Sequence, residues 1–375
     1  MEVKPGYKQT EAGVIPGDWN VFRLVDNFKI YAGGDVPKRS LSDTRSEIYP
    51  YPIFANSLQD RGLYGFTNEK RAKADSVTVT ARGYVGHAEY RNEPFFPIVR
   101  LLVLEPTGHL DAKFTTFAIN ESVTFALEST GVPQLTAPQI GKYSIAGPCL
   151  EEQRAIAQTI SEVYTMISNL DRLIAKKLDL KHAVMKQLLT GKTRLLGFKT
   201  EWETKELGQE IIRLKKTKRQ SSTGKDIGLY PFFTNTTKPV DRFIDEHDYN
   251  TEAIIANTGG VAYFNYFKGK FAAMSDCLVF ESKINTLFLY YYLKLVEKEV
   301  YNNGFTGSGI KHLDKKYFNQ IKFLCPVELG EQTAIAGVLA DMDAEIYTLE
   351  AWRSKTLALM QGMTHELLTG KTRIL

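Results

Sequence analysis

The sequence predicts an α+β protein, two mixed α/β domains joined by two long antiparallel helices, with an internal pseudo-two-fold repeat. Three observations carry this. Leu188-Leu189-Thr190-Gly191-Lys192-Thr193-Arg194-Leu195-Leu196 returns at 367–375, identical at eight of nine positions. At the same separation of 179 residues, Glu152-Gln153 falls on Glu331-Gln332 and Ala155-Ile156-Ala157 on Ala334-Ile335-Ala336. Before each copy, apolar residues recur in steps of four and three, at Ile156, Ile160, Val163, Ile167, Leu170 and Ile174, and at Ile335, Leu339, Met342, Ile346 and Leu349. That 3.5-residue spacing belongs to a coiled-coil seam. A repeat of half the chain is too long for a solenoid, so each copy is a whole domain followed by one helix.

The boundaries follow in chain order: a first domain over 1–148, a helical segment over 149–192, a second domain over 193–326 and a second helical segment over 327–375. Tyr7 to Leu24 reads as a docked extended arm with Trp19 as its anchor, and Trp202 and Leu207 are its counterparts. Val77–Thr80 and Ile98–Leu104 read as strands in the first domain, and Ala253–Ala256 and Cys277–Phe280 in the second. Tyr51-Pro52-Ile53-Phe54-Ala55-Asn56 matches Tyr230-Pro231-Phe232-Phe233-Thr234-Asn235, again 179 apart. Short helices are expected over Ala112–Ile119 and Thr286–Lys298. Gly131–Leu135 and Gly309–Leu313 lead back to the long helices. Glu151 and Glu152 sit where a helix dipole favours anions, and Gly191 and Gly370 suit a left-handed C-cap. Some 38 residues make a rod of roughly 57 Å, and two rods bury each other's stripes.

With 375 residues, 43% of them hydrophobic, the chain can bury sizeable cores. Its apolar runs are interrupted by polar residues and its start lacks the apolar stretch of a signal peptide, so no membrane role and a cytoplasmic location are expected. Cys149, Cys277 and Cys325 are scattered, which offers neither a disulfide framework nor a Cys-x-x-Cys metal site, and all three are expected as buried small hydrophobes. A net charge of +4 permits nucleic acid as a partner.

Patterns that imitate catalytic motifs fail on mechanism. Gly191-Lys192-Thr193 and Gly370-Lys371-Thr372 resemble a phosphate loop, but Lys186 and His365 stand where its first glycine belongs and a helix precedes the motif. Asn92-Glu93-Pro94-Phe95 lacks the second proline of an adenine-gripping loop, and no Gly-rich turn offers a methyl-donor pocket. Asp111-Ala112-Lys113 lacks the acidic partner of a nuclease motif. The six His are isolated from one another and from Cys. Catalytic, cofactor-binding and metal-ligating residues are therefore expected to be none.

Binding remains. Lys215-Lys216-Thr217-Lys218-Arg219, Arg61 with Lys70, Arg71 and Lys73, and Lys311-His312 with Lys315-Lys316 are cationic clusters near aromatics and glycines. Cations on phosphates supply affinity, whereas Arg, Asn and Gln on base edges supply discrimination. Arg82, Asn56, Asn235, Asn257 and Gln134 are candidates of the second kind. Arg61, Lys216, Arg219, Lys311 and His312 complete the DNA-binding candidates.

In this order these features resemble the specificity subunits of type I restriction-modification systems along the whole chain. The carriers are Tyr7, Thr10-Glu11, Gly13-Val14-Ile15-Pro16 and Trp19; Gly131-Val132-Pro133-Gln134-Leu135; Pro148 with Leu150-Glu151-Glu152-Gln153-Arg154-Ala155-Ile156-Ala157; and the duplicated Leu188-Leu189-Thr190-Gly191. The resemblance implies two target-recognition domains, each reading part of a split double-stranded DNA site, held apart by the two helices. It also implies two modification (methyltransferase) subunits docked on those helices, with restriction (motor-nuclease) subunits added, and any cofactor carried by those partners. Glu152, Gln153, Leu189, Gly191, Glu331, Gln332, Leu368 and Gly370 are the partner-binding candidates on this basis. The sequence departs from the pattern at Gly309-Ile310-Lys311-His312 and Val327-Glu328-Leu329-Gly330. The alternative from another class is a coiled-coil adaptor with two β-rich binding modules and no DNA role.

Overall fold

The computed structural model describes residues 4–126, 134–237, 240 and 242–374, so residues 131–133 of the Gly131–Leu135 stretch lie outside the described residues. The chain divides into two compact units, residues 1–169 with 353–375, and residues 170–352. Each long helix, Leu150–Leu188 and Leu329–Leu368, crosses that division near its middle.

In the first unit the arm forms a hairpin of Tyr7–Thr10 and Gly13–Pro16, and Asn20–Arg23 pairs antiparallel with Ser144–Gly147. A four-stranded antiparallel sheet follows, in the order Phe28–Ala32, Leu102–Pro106, Ser76–Val79, Ala88–Arg91. The β-branched run Val77-Thr78-Val79 is buried throughout, as suits an inner strand. The helix Ala112–Ser122 packs its Phe114, Ala118 and Ile119 into the same core as Val77, Val79 and Leu104. Asp111 accepts from the Phe114 amide at 2.8 Å and so caps that helix, a structural use for the residue that imitated a nuclease carboxylate. A smaller sheet joins Leu63–Thr67, Tyr51–Phe54 and Phe96–Pro97, the last two strands being parallel.

The second unit repeats this scheme with its two sheets fused. Trp202–Glu206 pairs with Lys322–Pro326, and a six-stranded sheet runs Ile211–Arg213, Cys277–Ser282, Tyr249–Asn257, Phe264–Ala273, Tyr230–Phe233, Phe243–Ile244. The parallel contact recurs at Phe232 with Ala272 and Phe233 with Ala273, matching Ile53 with Phe96 and Phe54 with Pro97.

The structure corrects three expectations. Ile98–Leu104 is not one strand: Val99 and Arg100 adopt φ of 53° and 61°, and the Leu101 amide closes a turn on the Ile98 carbonyl at 3.1 Å. The chain must turn there because Phe96–Pro97 belongs to the small sheet and Leu102–Pro106 to the large one. The Thr286–Lys298 helix breaks at Val296 into Thr286–Leu295 and Glu297–Gly304. Cys149 is exposed, its carbonyl accepting from the Gln153 amide in the opening turn of the first long helix, while Cys277 and Cys325 are buried.

Along the first long helix Ile156, Ile160, Ile167, Leu170 and Ile174 are buried as the seam requires. The next two seam positions are Lys177 and Lys181, which pair in the second unit with Glu345 at 2.6 Å and with Asp343. As numbers rise on one helix they fall on the other, so the pairing is antiparallel. In the first unit Ile156, Ala157 and Ile160 share a core with Leu367 and Leu368, and in the second Met185, Leu188 and Leu189 share one with Ile335, Ala336 and Leu339. The start of one helix and the end of the other thus close each unit.

Candidate nucleic-acid interface

The duplicated motif builds a clasp at the foot of each unit. In the first, the Glu152 carboxylate, its side chain 3% exposed, receives Arg373 Nε at 2.7 Å and Nη2 at 2.6 Å. Arg373 also reaches Asp18, Nη1 to Oδ1 at 3.0 Å. Hydrogen bonding to Glu152 and then to Asp18 raises the guanidinium further above its ordinary pKa, and the same contact with Arg373 lowers that of Asp18. In the second unit Glu331 receives Arg194 Nε at 2.5 Å and Nη2 at 2.7 Å, and Trp202 Nε1 at 3.2 Å. Gly191 and Gly370 both hold φ of 68°, and a Cβ on Gly370 would run into Pro16 and Trp19 while one on Gly191 would meet Trp202 at 3.3 Å.

Gln153 and Gln332 tie the short helices to the long ones. Gln153 accepts from the Asp111 amide at 2.9 Å and donates to the His109 and Pro148 carbonyls, and Gln332 accepts from the Asn285 amide at 2.9 Å and donates to Pro326 at 2.7 Å. Leu189 and Leu368 lie in the cores. The eight partner-binding candidates are therefore placed inward or against tryptophan, holding each helix pair in shape.

The base-reading candidates gather at one place in each unit, where three loops meet on equivalent hydrogen bonds. In the first unit Asn56 Oδ1 accepts from the Ala81 amide at 2.5 Å and its Nδ2 donates to the Arg82 carbonyl at 2.5 Å. In the second, Asn235 Nδ2 donates to the Gly259 carbonyl at 2.6 Å. The Leu135 amide donates to Ala81 at 2.8 Å as Leu313 does to Thr258 at 3.0 Å, beside the bridges Arg82 with Gln134 and Gly259 with His312. The Val99 amide donates to Gly34 at 2.9 Å as Ser275 does to Arg219 at 2.9 Å.

These bonds set Arg82 against Gly259, Gln134 against His312, Gly34 against Arg219 and Arg100 against Asp276. The backbone is kept while the side chains change. The asparagines serve the scaffold: Asn56 and Asn235 staple neighbouring loops, and Asn257 is 2% exposed with Nδ2 on the Thr236 carbonyl. What faces solvent is Arg82 in the first unit and His312 in the second, with the half-buried Lys311 lying 5.0 Å from the Tyr301 ring centre.

The other cations divide. Arg61 is held by Glu89 at 2.9 Å and the Tyr90 carbonyl. Its carbonyl is pinned by Arg91, which is buried over the Phe54 ring and whose pKa burial lowers to about 10. Arg219 is neutralised by Asp248, with both carboxylate oxygens at 2.9 Å from Nε. Lys216 lines an open cavity of about 780 Å³ with Lys215, Lys218, His247 and Tyr249. In the first unit a cavity of about 570 Å³ is lined by Gly33, Gly34, Asp35, Asn56, Arg82, Gly83, Val99 and Arg100. Arg100 was hidden from sequence reasoning inside a presumed strand, and the signal was a charge in an apolar run directly after Pro97. Two successive non-glycine residues in the left-handed region cost roughly 1–3 kcal/mol each, a strain found at ligand sites.

Comparison with known proteins follows the same division into repeats. The family model described as the type I restriction modification DNA specificity domain matches twice, over residues 16–178 and 199–358. The chain belongs to that family. A relative named as a type I specificity subunit in Mycoplasma pneumoniae is 30% identical over 169 residues, 45% of this chain, so the match spans about half (46%) of that relative's own length. One named as a type I restriction enzyme specificity subunit in Methanocaldococcus jannaschii is 24% identical over 418 residues, covering 98% of this chain and 97% of that one. The fold matches the crystal structure of a type I restriction-modification S subunit from M. genitalium with a TM-score of 0.72, at 16% identity and 98% coverage of both chains. No helix among the described residues is long and apolar enough to cross a membrane, and no group of three or more His, Cys, Asp and Glu could hold a metal ion among them.

Proposed function

We propose that the chain is the DNA-reading subunit of a cytoplasmic type I restriction-modification complex, each unit reading one part of a split double-stranded site. The supporting observation is the pair of loop clusters in which matched backbone hydrogen bonds present different side chains, as two readers of different sequences require. On this reading Arg82, Gln134, Lys216, Lys311 and His312 meet DNA, while Asn56, Asn235 and Asn257 shape the loops that do so. Arg61 and Arg219, already paired with carboxylates, serve by exchanging those partners for phosphates. Two methyltransferase subunits dock on the helix pairs whose form Glu152, Gln153, Leu189, Gly191, Glu331, Gln332, Leu368 and Gly370 hold, and motor-nuclease subunits join that core. The methyl donor and the adenine chemistry belong to those partners, and this chain contributes no catalytic group.

The test is to mix the purified chain with the methyltransferase subunit encoded beside it and map the methylated adenines on DNA. Methylation at a two-part sequence supports the reading; no methylation together with no salt-sensitive DNA binding refutes it. Exchange of residues 20–148 for the same region of another family member separates the units. It should alter one half of the recognised site and leave the other intact, and a change in both halves would refute the division.

A further inference from the structure

We propose that Arg100 is the base-reading side chain of the first unit and that it reads a guanine. This rests on the DNA-reading function proposed above and names the residue and the base. Guanine offers two acceptors, O6 and N7, on its major-groove edge, and a planar guanidinium presents two parallel N–H groups to match them. An arginine suited to that task must be aimed without being neutralised. Arg100 is: its Nη1 donates to the Gln134 Oε1 amide oxygen at 3.2 Å, and among the described residues it makes no ion pair.

Several of the first unit's other arginines are already engaged. Arg45 is paired with Glu93, Arg61 with Glu89, and Arg373 with Glu152 and Asp18. Arg91 is buried on Phe54, and Arg71 lies over the Phe96 ring at 4.5 Å. Arg100 lines the open cavity where the Gly33–Asp35, Asn56 and Arg82–Gly83 loops meet, and it stands on backbone with φ of 61°, beside Val99 at 53°. A neutral amide fixes its direction, the turn fixes its origin, and its charge and remaining N–H groups are left for a ligand. Arg82, lining the same cavity, adds charge suited to the neighbouring phosphates.

The second unit provides an internal contrast. At the place set by the equivalent bond, Ser275 amide to Arg219 carbonyl, the chain carries Asp276, an acceptor that cannot pair with the O6 and N7 of guanine. The guanine contact proposed for Arg100 therefore has no counterpart at the equivalent position of the second unit.

The experiment selects bound sequences from a pool of randomised duplexes, using the chain with the methyltransferase subunit encoded beside it. Arg100→Ala is compared with Arg100→Gly, which fits the positive φ and guards against a folding defect. Both should lose about ten- to a hundred-fold of the preference for one guanine in one half of the site, with the other half unchanged. Gln134→Ala should lose part of the same preference at the same position. Unaltered discrimination at every position, or a uniform loss at all sequences as a phosphate contact would give, would overturn the proposal. Failure of the unaltered complex to select any two-part sequence would instead count against the DNA-reading function itself.

Discussion

Removing the Arg373 side chain tests the clasp where it is most exposed to argument. Arg373→Ala leaves the Glu152 carboxylate, 3% exposed, without a partner among the described residues. Breaking a buried pair by deleting one member costs about 3–5 kcal/mol, and since Arg373 is itself 35% exposed the lower end applies, about 3 kcal/mol. Glu152→Gln keeps the volume and leaves Arg373 with Asp18, so it should cost about 1 kcal/mol. For a unit of this size that is about 6–12 °C against about 2–4 °C in the melting of the first unit. Hydrogen exchange resolved by peptide is the assay, because residues 170–352 act as the internal control and should keep their protection. Equal effects of the two substitutions, or equal loss of protection in both units, would refute the reasoning. The pH dependence has a definite sign. Arg373 holds the Asp18 carboxyl below its ordinary value of 3.8, so the unfolded chain binds the proton more tightly and this contribution is full above about pH 4 and lost as pH falls further. Arg373→Ala should flatten that acid limb.

Gly370→Ala should destabilise more than Gly191→Ala in thermal melts, because both violate the same φ of 68° but only the Gly370 Cβ is forced against Pro16 and Trp19; the reverse order would be evidence against close packing as the cause. Lys181→Met should change stability by no more than about 1 kcal/mol, because the Asp343 carboxylate it leaves behind is 42% exposed and keeps the Tyr291 hydroxyl at 2.8 Å; a loss above about 2 kcal/mol would contradict this. With a thiol reagent at pH 8 the native chain should show one fast cysteine, Cys149, because burial pushes Cys277 and Cys325 up to about 12; rapid labelling of Cys277 without unfolding would contradict its burial.

Duplication made the architecture legible in the sequence. A backbone that must be built twice leaves its shared constraints at one offset: Glu152 and Glu331 for their arginines, Gln153 and Gln332 for the helix caps, Gly191 and Gly370 for their tryptophans. The convergence of candidate residues was legible too, Asn56 with Arg82 and Gln134, and Asn235 with Asn257 and His312. Their roles were not. Whether an asparagine meets a base or staples a loop depends on which carbonyl lies within 3 Å, and that is decided by chain segments far apart in sequence. Arg100 was missed because local apolar pattern favours a strand through Ile98–Leu104, and only the existence of two separate sheets forces the chain to turn there. The spacing that worked for the clasp also failed here, because Arg100 and Asp276 are 176 apart, not 179.

The clasp reverses the usual order of synthesis and folding. Domains made first on the ribosome generally fold first, and residues 170–352 form one uninterrupted unit that can close as soon as it emerges. The unit begun earlier cannot, because Leu367, Leu368, Gly370 and Arg373 complete its core and its clasp. Throughout translation of the second unit, the apolar end of the first, Trp19 with Ile156 and Ile160, stays open to chaperones and to the matching ends of other nascent chains. A premature stop after residue 352 would accordingly spare the younger unit and cripple the older one.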